Sequence, residues 1–229
     1  MSMLEVDAAV RDAIAARVAE VDGAIADACR AAGRARGEVT LLAVSKKQPP
    51  ERIVAGWLAG LRAFGENYVQ ELEAHRALLP PEARWELIGH LQTNKAKKAA
   101  QLAARVHTVD SERLARALGQ ARPGLEVLVE VNVGDEASKD GVGPAGVPAV
   151  VDAARAAGLE VVGLMCIPPA DRPPRPYFAA LRALAEAERA RTGLALPELS
   201  MGMSGDFADA ILEGSTVVRV GSALFGARG

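Results

Sequence analysis

The sequence alternates eight short apolar runs with segments of helical periodicity between residues 40 and 225. Such an alternation with short links is typical of parallel strands joined by crossover helices. Eight units within about 190 residues lie at the small end of the range for a (β/α)8 TIM barrel. An open doubly wound sheet is the alternative, but it rarely needs eight strands at this length. We therefore predict an α/β fold with one TIM-barrel domain over residues 1–229.

The predicted strands are Thr40–Ser45, Ala63–Gly65, Trp85–Gly89, Val106–Val109, Glu126–Val133, Leu159–Cys166, Glu198–Met201 and Val217–Val220. The predicted helices are Pro50–Gly60, Tyr68–Leu79, Thr93–Ala104, Ser111–Gln120, Ala145–Ala157, Pro174–Arg191 and Asp206–Glu213, and a short turn follows at Ala223–Phe225. An extra amphipathic helix from about Leu4 to Ala32 precedes the barrel, because apolar residues recur there at three- and four-residue spacing. We expect Gly33 to end it.

The composition narrows the possible partners. A formal net charge of −2 and an aromatic content of 3% give no reason to expect nucleic acid, which needs basic or stacking surfaces. No apolar run approaches the roughly 20 residues that cross a bilayer, so we expect no membrane association. The two cysteines, Cys29 and Cys166, are typical of a reducing compartment rather than a disulfide framework. We therefore expect a cytoplasmic location.

Polar residues follow the predicted strands, at the end of a barrel where active sites lie. After strands seven and eight come Ser204 and the pair Gly221 and Ser222, each at a predicted helix start. Ser204 is expected to cap its helix, and glycine lets the backbone turn close to a ligand. Two helix starts side by side favour a phosphate site, although each serine alone reads as an ordinary cap.

Two lysines, Lys46 and Lys47, end the first predicted strand. Side chains alternate along a strand, so at most one of them shares the inward direction of Leu42 and Val44. Such a lysine is either a solvated strand end or an amine of lowered pKa that attacks an aldehyde. An aldehyde together with a phosphate indicates pyridoxal phosphate or a phosphorylated sugar, and the chemistry alone does not choose between them.

Seven ordered motifs resemble one family. They are "LLAVSK" at Leu41–Lys46, "FGENYVQE" at Phe64–Glu71, "IGHLQTNK" at Ile88–Lys95, "VNVGDEASKDG" at Val131–Gly141, "GLMCIPP" at Gly163–Pro169, "LSMGMSGD" at Leu199–Asp206 and "VRVGSALFGAR" at Val218–Arg228. The chain is similar to the pyridoxal phosphate homeostasis proteins, also called proline synthase co-transcribed bacterial homologues. That family shares the barrel of the alanine racemase N-terminal domain.

The resemblance implies a cofactor, pyridoxal 5'-phosphate, held by Lys46 as an internal aldimine, a Schiff base. It puts Ser204, Gly221 and Ser222 around the phosphate; family members usually carry Thr at 222, and serine keeps the hydroxyl. Arg219 is expected near the pyridine nitrogen. A permanent cation there disfavours protonation of that nitrogen and weakens the ring as an electron sink.

The resemblance leaves several other roles open. Asn67 and Asn132 are expected either to line the ring face or to serve as loop and turn residues. His90 has the alternatives of a cofactor contact and a hydrogen-bonded structural histidine, and Met165 is expected to fill space beneath the ring.

Three functions are compatible with these residues. The resemblance favours a vitamin B6 protein that holds pyridoxal phosphate for intracellular homeostasis, with little or no catalysis. A racemase needs acid–base groups on both ring faces, and the related racemases add a C-terminal β domain. Here the chain ends just after the eighth unit, and neither Tyr68 nor Tyr177 is an obvious base. A lysine-dependent aldolase is disfavoured, because those enzymes usually carry the lysine on a later strand.

Partners follow from the same resemblance. The resemblance implies a monomer, with a weak dimer as the alternative, and makes apo forms of pyridoxal phosphate enzymes the candidate recipients of the cofactor. The favoured interpretation of the charged loop Gly134–Gly141 is a solvated surface loop. A weaker hypothesis is that its Lys139 contacts released cofactor or a recipient enzyme.

Overall fold

Eight parallel strands close into a barrel in the computed structural model, which describes residues 4–136 and 139–226. Each strand pairs with its sequence neighbours, and the first pairs with the last through Leu42↔Arg219 and Ala43↔Val220. The strands are β1 Thr40–Val44, β2 Ala63–Glu66, β3 Arg84–Leu87, β4 Arg105–Val109, β5 Glu126–Glu130, β6 Glu160–Met165, β7 Glu198–Ser200 and β8 Val217–Val220. The predicted TIM barrel is confirmed.

A helix precedes the barrel and others follow its strands. They are α1 Ala8–Ala31, α2 Pro50–Leu58, α3 Val69–Arg76, α4 Ala96–Leu102, α5 Glu112–Ala121, α6 Val147–Ala156, α7 Arg175–Thr192, α8 Phe207–Leu212 and α9 Ser222–Phe225. Short 3-10 turns at Arg36–Glu38, Thr93–Lys95 and Pro144–Gly146 complete the elements. Within the described parts of the chain, no helix combines the length and apolarity that a bilayer crossing requires.

Five of the eight predicted strands run too long at their carboxyl ends, whereas the second was predicted one residue too short and the fourth and eighth end where predicted. The first stops at Val44 rather than Ser45, and the fifth stops at Glu130 rather than Val133. The residues beyond these points build the loops of the barrel mouth: Val131, for example, forms an isolated bridge with Val142. Residues 137–138 of the charged loop and 227–228 of the last motif lie outside the described residues.

The leading helix α1 contacts α2, α8 and α9. Ile14, Val21 and Ile25 are buried in this contact, and each such side chain contributes roughly 1.5–3 kcal/mol when fully buried. Asp7 caps the helix, its Oδ1 accepting the Ala9 N–H at 2.8 Å. The helix therefore packs against both the first and the last units of the barrel and stabilises their association.

Charged side chains cross the amino-terminal part of the barrel interior. Arg105 on β4 bonds Glu126 on β5 at 2.7 Å and Glu198 on β7 at 3.1 Å. The first pair joins neighbouring strands, whereas the second links β4 to β7, which are not adjacent in the ring. Further apolar side chains form two buried clusters, one of Leu42, Ala63, Ile88 and Val217 and the other of Leu128, Val162 and Met165. The barrel is thus a packed core, and its carboxyl-end mouth is where a ligand can approach.

Candidate functional site

The two lysines lie in a turn just beyond β1. The turn is closed by the Gln48 N–H, which donates to the Ser45 carbonyl at 3.0 Å. Lys46 is half-buried and Lys47 is exposed. Strand alternation does not govern them, because neither belongs to the strand; the backbone turns instead, and Lys47 has a φ of 56°. Leu42 and Val44 do face the barrel interior, as expected.

A buried carboxylate fixes the start of this turn. Glu66, at the end of β2, is fully buried, and its Oε1 accepts the Ser45 hydroxyl at 2.5 Å. The same oxygen lies 2.8 Å from Nδ1 of His75 on α3. The sequence motif contained Glu66, but nothing in the spacing indicated that it reaches across to the loop after β1.

The loops after β7 and β8 meet through two serines. The Ser222 hydroxyl lies 3.3 Å from that of Ser204. Ser222 is the first residue of α9, as predicted. Ser204 does not cap α8, however, and that prediction is wrong: the N-cap is Asp206, whose Oδ1 accepts the Met203 N–H at 2.6 Å. Ser204 sits in the preceding turn with its hydroxyl turned towards Ser222.

Gly221 brings the loop after β8 against β1. A Cβ built on Gly221 would lie 3.2 Å from the Val44 carbonyl oxygen, closer than most real Cβ contacts. The backbone can approach the lysine-bearing loop this closely because the residue is glycine. Asn67 lies on the other side of β1, at the end of β2, and is half-buried. Its backbone packs directly against Gly89. A Cβ built on Gly89 would lie 2.3 Å from the Asn67 carbonyl oxygen, so only glycine fits there.

Arg219 is buried inside the barrel below these loops. Its Nη1 donates to the Ser200 hydroxyl at 2.8 Å, and its Nη2 donates to the Cys166 carbonyl at 2.9 Å. Burial lowers its pKa, but a guanidinium stays charged in proteins. The cation is therefore fixed in position by β7 and by the residue that follows β6.

A chain of buried hydrogen bonds extends from Arg219 to the far side of the barrel. His107 Nδ1 lies 3.0 Å from the Ser200 hydroxyl, and its Nε2 lies 2.6 Å from Glu86. Burial lowers the pKa of His107, which keeps the imidazole neutral. For Glu86, burial favours the neutral acid, but the bond from His107, the charge of Arg105 and the bond from Arg84 outweigh it and lower its pKa to about 2. Glu86 is thus ionised.

These states fix the direction of each bond in the chain. The Glu86 carboxylate can only accept, so His107 carries its proton on Nε2 and accepts at Nδ1. Ser200 then donates its hydroxyl proton to His107 and accepts from Arg219. Sequence reasoning missed both His107 and Ser200, because partners on β4 and β7 are more than 90 residues apart.

Glu130 is a further buried carboxyl at the mouth, and sequence reasoning missed it too. Its Oε2 has no hydrogen-bond partner within residues 4–136 and 139–226. Burial, followed by the charges of Asp140 and Asp110, raises its pKa to about 7, against the opposing effect of Arg219. The sequence did contain one indication that Glu130 points into the barrel: it lies two residues after Leu128 on the same strand, and Leu128 faces the interior.

The structure also describes His90, Asn132 and Met165, whose roles the family resemblance left undecided. His90 is half-exposed, with Nδ1 3.2 Å from Asp140 and 3.5 Å from Asp110. The Asn132 side chain organises its own loop, donating to the Glu136 carbonyl at 2.8 Å and accepting the Glu136 N–H at 3.1 Å. These are the bonds of a turn residue. Met165 is fully buried with Leu128 and Val162.

Lys139 belongs to the same loop as Asn132. Its Nζ donates to the Pro168 carbonyl at 3.0 Å and pairs with Glu136 at 2.7 Å. The loop is therefore tied to the segment after β6. No group of three or more metal-ligating side chains occurs among the described residues.

Comparisons with known protein sequences all identify the same family. The family model for the alanine racemase N-terminal domain matches residues 22–229. A protein of Pseudomonas aeruginosa named pyridoxal phosphate homeostasis protein is 43% identical over 223 residues, which are 94% of this chain and 96% of that one. A protein of Aquifex aeolicus with the same name is 41% identical over 222 residues, 93% of this chain and 97% of that one.

Solved structures agree with this result. PipY of Synechococcus elongatus, solved with pyridoxal phosphate bound, superposes with a TM-score of 0.79 at 35% identity, covering 93% of this chain and all of that one. Alanine racemase of Corynebacterium glutamicum superposes with a TM-score of 0.75 at 20% identity. There the match covers 95% of this chain and 61% of the racemase, and it shows the fold alone.

Proposed function

This chain belongs to the alanine racemase N-terminal domain family, among the pyridoxal phosphate homeostasis proteins, and on that premise we propose that it binds pyridoxal 5'-phosphate and takes part in its intracellular homeostasis. The observation that carries the proposal is the convergence of loops from three neighbouring strands. Those after β7 and β8 meet through the Ser204 and Ser222 hydroxyls, and Gly221 packs against Val44 just before Lys46. The loop that carries Lys46 is therefore next to the loops that carry the two hydroxyls.

The available groups fit the cofactor chemically. A lysine amine is the group that condenses with an aldehyde, and we assign that bond to Lys46 rather than to the exposed Lys47. Hydroxyls and the amides of a glycine-led turn are donors for a phosphate, and we assign that end to Ser204, Gly221 and Ser222. Asn67, on the opposite side of β1, is assigned to the ring face.

Arg219 is assigned to the pyridine nitrogen. The ring supplies an aldehyde and an electron sink when bound. Arg219 opposes a proton on the ring nitrogen, because a fixed cation disfavours a second positive charge beside it. The Ser200 and Cys166 bonds keep the guanidinium from turning away. This residue therefore favours holding the cofactor over using it, and we propose little or no catalysis by this protein.

Exposed apolar side chains at the mouth are consistent with release to another protein. Tyr68, Ile167 and Met203 follow β2, β6 and β7, and each is more than one-third exposed. We propose that the protein acts in the cytoplasm as a monomer and that apo forms of pyridoxal phosphate enzymes receive the cofactor.

An absorption spectrum tests the proposal directly. Protein incubated with pyridoxal phosphate should turn yellow, and borohydride should fix the cofactor to Lys46, as read by peptide mass spectrometry. Lys46→Ala should stay colourless, whereas the matched control Lys47→Ala should behave as the parent protein. A Lys46→Ala protein that becomes equally yellow contradicts the assignment.

A second assay separates holding from catalysis. The loaded protein is incubated with L-alanine and other L-amino acids, and the products are analysed on a chiral column. We expect no D-amino acid. Appreciable turnover would make the protein a racemase instead.

A further inference from the structure

The buried cation Arg219 has no carboxylate bonded to it. The residue is 4% exposed, and its guanidinium donates to the Ser200 hydroxyl and to the Cys166 carbonyl. Within residues 4–136 and 139–226 it makes no ion pair with a carboxylate. A buried charge is costly unless hydrogen bonds and an opposite charge compensate it. A compensating charge must therefore reach Arg219 through other groups.

A continuous series of side-chain bonds leads from Arg219 to such a charge. The Ser200 hydroxyl lies 3.0 Å from Nδ1 of His107, and Nε2 of the same ring lies 2.6 Å from Oε2 of Glu86. Oε1 of Glu86 accepts from Nε of Arg84 at 2.6 Å. Both oxygens of Glu86 are thus occupied by donors, one of them a guanidinium. We call Ser200, His107 and Glu86 the relay.

The ion cluster at the far end of the relay has more negative than positive groups. Its members are two arginines and three glutamates, namely Arg84, Arg105, Glu86, Glu126 and Glu198. The four ion pairs that join them measure 2.5–3.1 Å. The one carboxylate in excess is equal and opposite in formal charge to Arg219, and the relay connects the two.

Two other carboxyl groups act on Arg219 electrostatically, Glu130 on β5 and Asp206 before α8. Neither is bonded to the guanidinium in the described part of the chain. Oδ1 of Asp206 is occupied by the Met203 N–H at 2.6 Å. These two groups therefore influence the energy of the cation, but they do not orient it.

We propose that Glu86 and His107 are positioning residues that hold the Arg219 guanidinium at the barrel mouth by fixing the hydroxyl of Ser200. Glu86 keeps the proton of His107 on Nε2, so Nδ1 accepts the hydroxyl proton of Ser200. The lone pairs of that hydroxyl are then directed to Arg219. The role of Arg219 at a cofactor nitrogen rests on the proposed function, whereas its fixed orientation does not.

A relay orients Arg219 in a way that a direct ion pair would not. A carboxylate in contact with a guanidinium commonly takes two of its N–H groups and offsets its charge. A hydroxyl takes a single N–H group, so it orients the guanidinium and leaves the charge to act on a ligand. The counter-charge of Glu86 remains in the same buried interior, two side chains away.

Substitutions within the relay break its bonds or keep them. His107→Leu removes both bonds of the imidazole, and Glu86→Leu removes the acceptor that fixes the ring proton. In His107→Gln the amide can donate to Glu86 while its oxygen accepts from Ser200, so this is the conservative replacement. Glu126→Gln is the matched control, because it removes a carboxylate from the same ion cluster without touching His107.

The proton on His107 is tested first, on the protein without cofactor. NMR of 15N-histidine-labelled protein should show this ring protonated on Nε2 alone, and His107→Leu assigns the signal by its loss. Glu126→Gln should keep this tautomer, whereas Glu86→Leu should show both tautomers. A ring protonated on Nδ1, or on both nitrogens, in the parent protein would overturn the relay, whether or not any variant folds.

The orientation of Arg219 is tested in the same cofactor-free samples. NMR of 15N-labelled arginine measures how fast the guanidinium rotates about its Cζ–Nε bond, and Arg219→Lys assigns the signal. Rotation should be about tenfold faster in His107→Leu and Glu86→Leu than in the parent protein, because a bond to a charged group is lost. It should be close to parental in His107→Gln and Glu126→Gln. Equal rates in the parent protein and His107→Leu would overturn the positioning role.

Cofactor binding supplies the last measurement. In equilibrium dialysis the dissociation constant for pyridoxal phosphate should be about tenfold higher in His107→Leu, and His107→Gln should recover most of the loss. Glu126→Gln should bind as the parent protein does, even though urea unfolds it more easily. An equal loss of affinity in Glu126→Gln would indicate a merely structural effect and overturn the inference. If no protein binds the cofactor, the proposed function fails, while the NMR results still decide how Arg219 is held.

Discussion

The hydroxyl oxygens of Ser204 and Ser222 lie 3.3 Å apart, although 18 residues separate them in the chain. They belong to the loops that follow β7 and β8, and Gly221 lets the second loop approach β1. Both hydroxyls can therefore face one bound group. We assign that group to the phosphate of the cofactor.

Loss of either hydroxyl should weaken cofactor binding. A hydrogen bond to a charged group contributes about 1.5–3 kcal/mol, so Ser204→Ala and Ser222→Ala should each raise the dissociation constant for pyridoxal phosphate roughly 10- to 100-fold. Equilibrium dialysis measures this. Ser222→Thr keeps the hydroxyl and is the control; a threonine variant as weak as the alanine variant would contradict the assignment.

The hydroxyl of Ser200 should matter for the cofactor through Arg219. Ser200→Ala leaves a guanidinium N–H and an imidazole nitrogen buried without partners, and it should lower the free energy of unfolding by about 1–3 kcal/mol. The freed guanidinium should also change the pH dependence of the absorbance of bound cofactor. Ser111→Ala, which removes the cap of α5, should cost about 1 kcal/mol without altering that spectrum. Identical pH profiles for Ser200→Ala and the parent protein would show that Arg219 does not need the hydroxyl.

Glu130 should make the protein less stable as the pH rises. Its pKa is about 7 in the folded state, against 4.5 for an ordinary glutamate, so the unfolded chain loses the proton first. Stability is lost as the pH rises from about 4.5 through 7, by about 3 kcal/mol in all. Glu130→Gln should match the parent protein near pH 4.5 and exceed it above pH 7, as measured by urea unfolding. The exposed Glu160→Gln should show no such divergence.

The contribution of Glu86 to stability should have the opposite dependence on pH. Its pKa is about 2 when folded, so its contribution is complete above the unfolded value of 4.5 and is lost as the pH falls towards 2. Glu86→Gln should therefore be less stable than the parent protein by about 3 kcal/mol at neutral pH, and the difference should shrink below pH 4.5. A difference that stays constant down to pH 3 would contradict the ionised state of Glu86 in the hydrogen-bond chain.

The arrangement of strands could be predicted because each barrel unit is local in the sequence. Alternation alone gave the eight strands, and the carboxyl-end rule put Lys46, Ser204 and Ser222 at one mouth. The position of Arg219 inside the barrel also follows from the two-residue spacing with Val217. The motifs named the family, and the comparisons confirm it.

The contacts that position these residues could not be predicted, because they join distant strands. The hydrogen bonds from Arg219 through Ser200 to His107 cross from β8 to β4, and no spacing of residues along the sequence indicates them. Ser204 was expected to cap a helix because serine favours that position, but Asp206 takes it. The left-handed Lys47 was missed because lysine rarely adopts that conformation.

The ring is sealed by the pairing of β1 with β8, and this order has a consequence during protein synthesis. The lysine loop emerges from the ribosome early, whereas the serine loops that complete its surroundings are made more than 150 residues later. A nascent chain therefore contains the lysine loop long before the two serine loops exist. Under the phosphate assignment that we propose, both ends of the cofactor are held only after the closing strand has paired, so cofactor binding should distinguish completed barrels from incomplete ones.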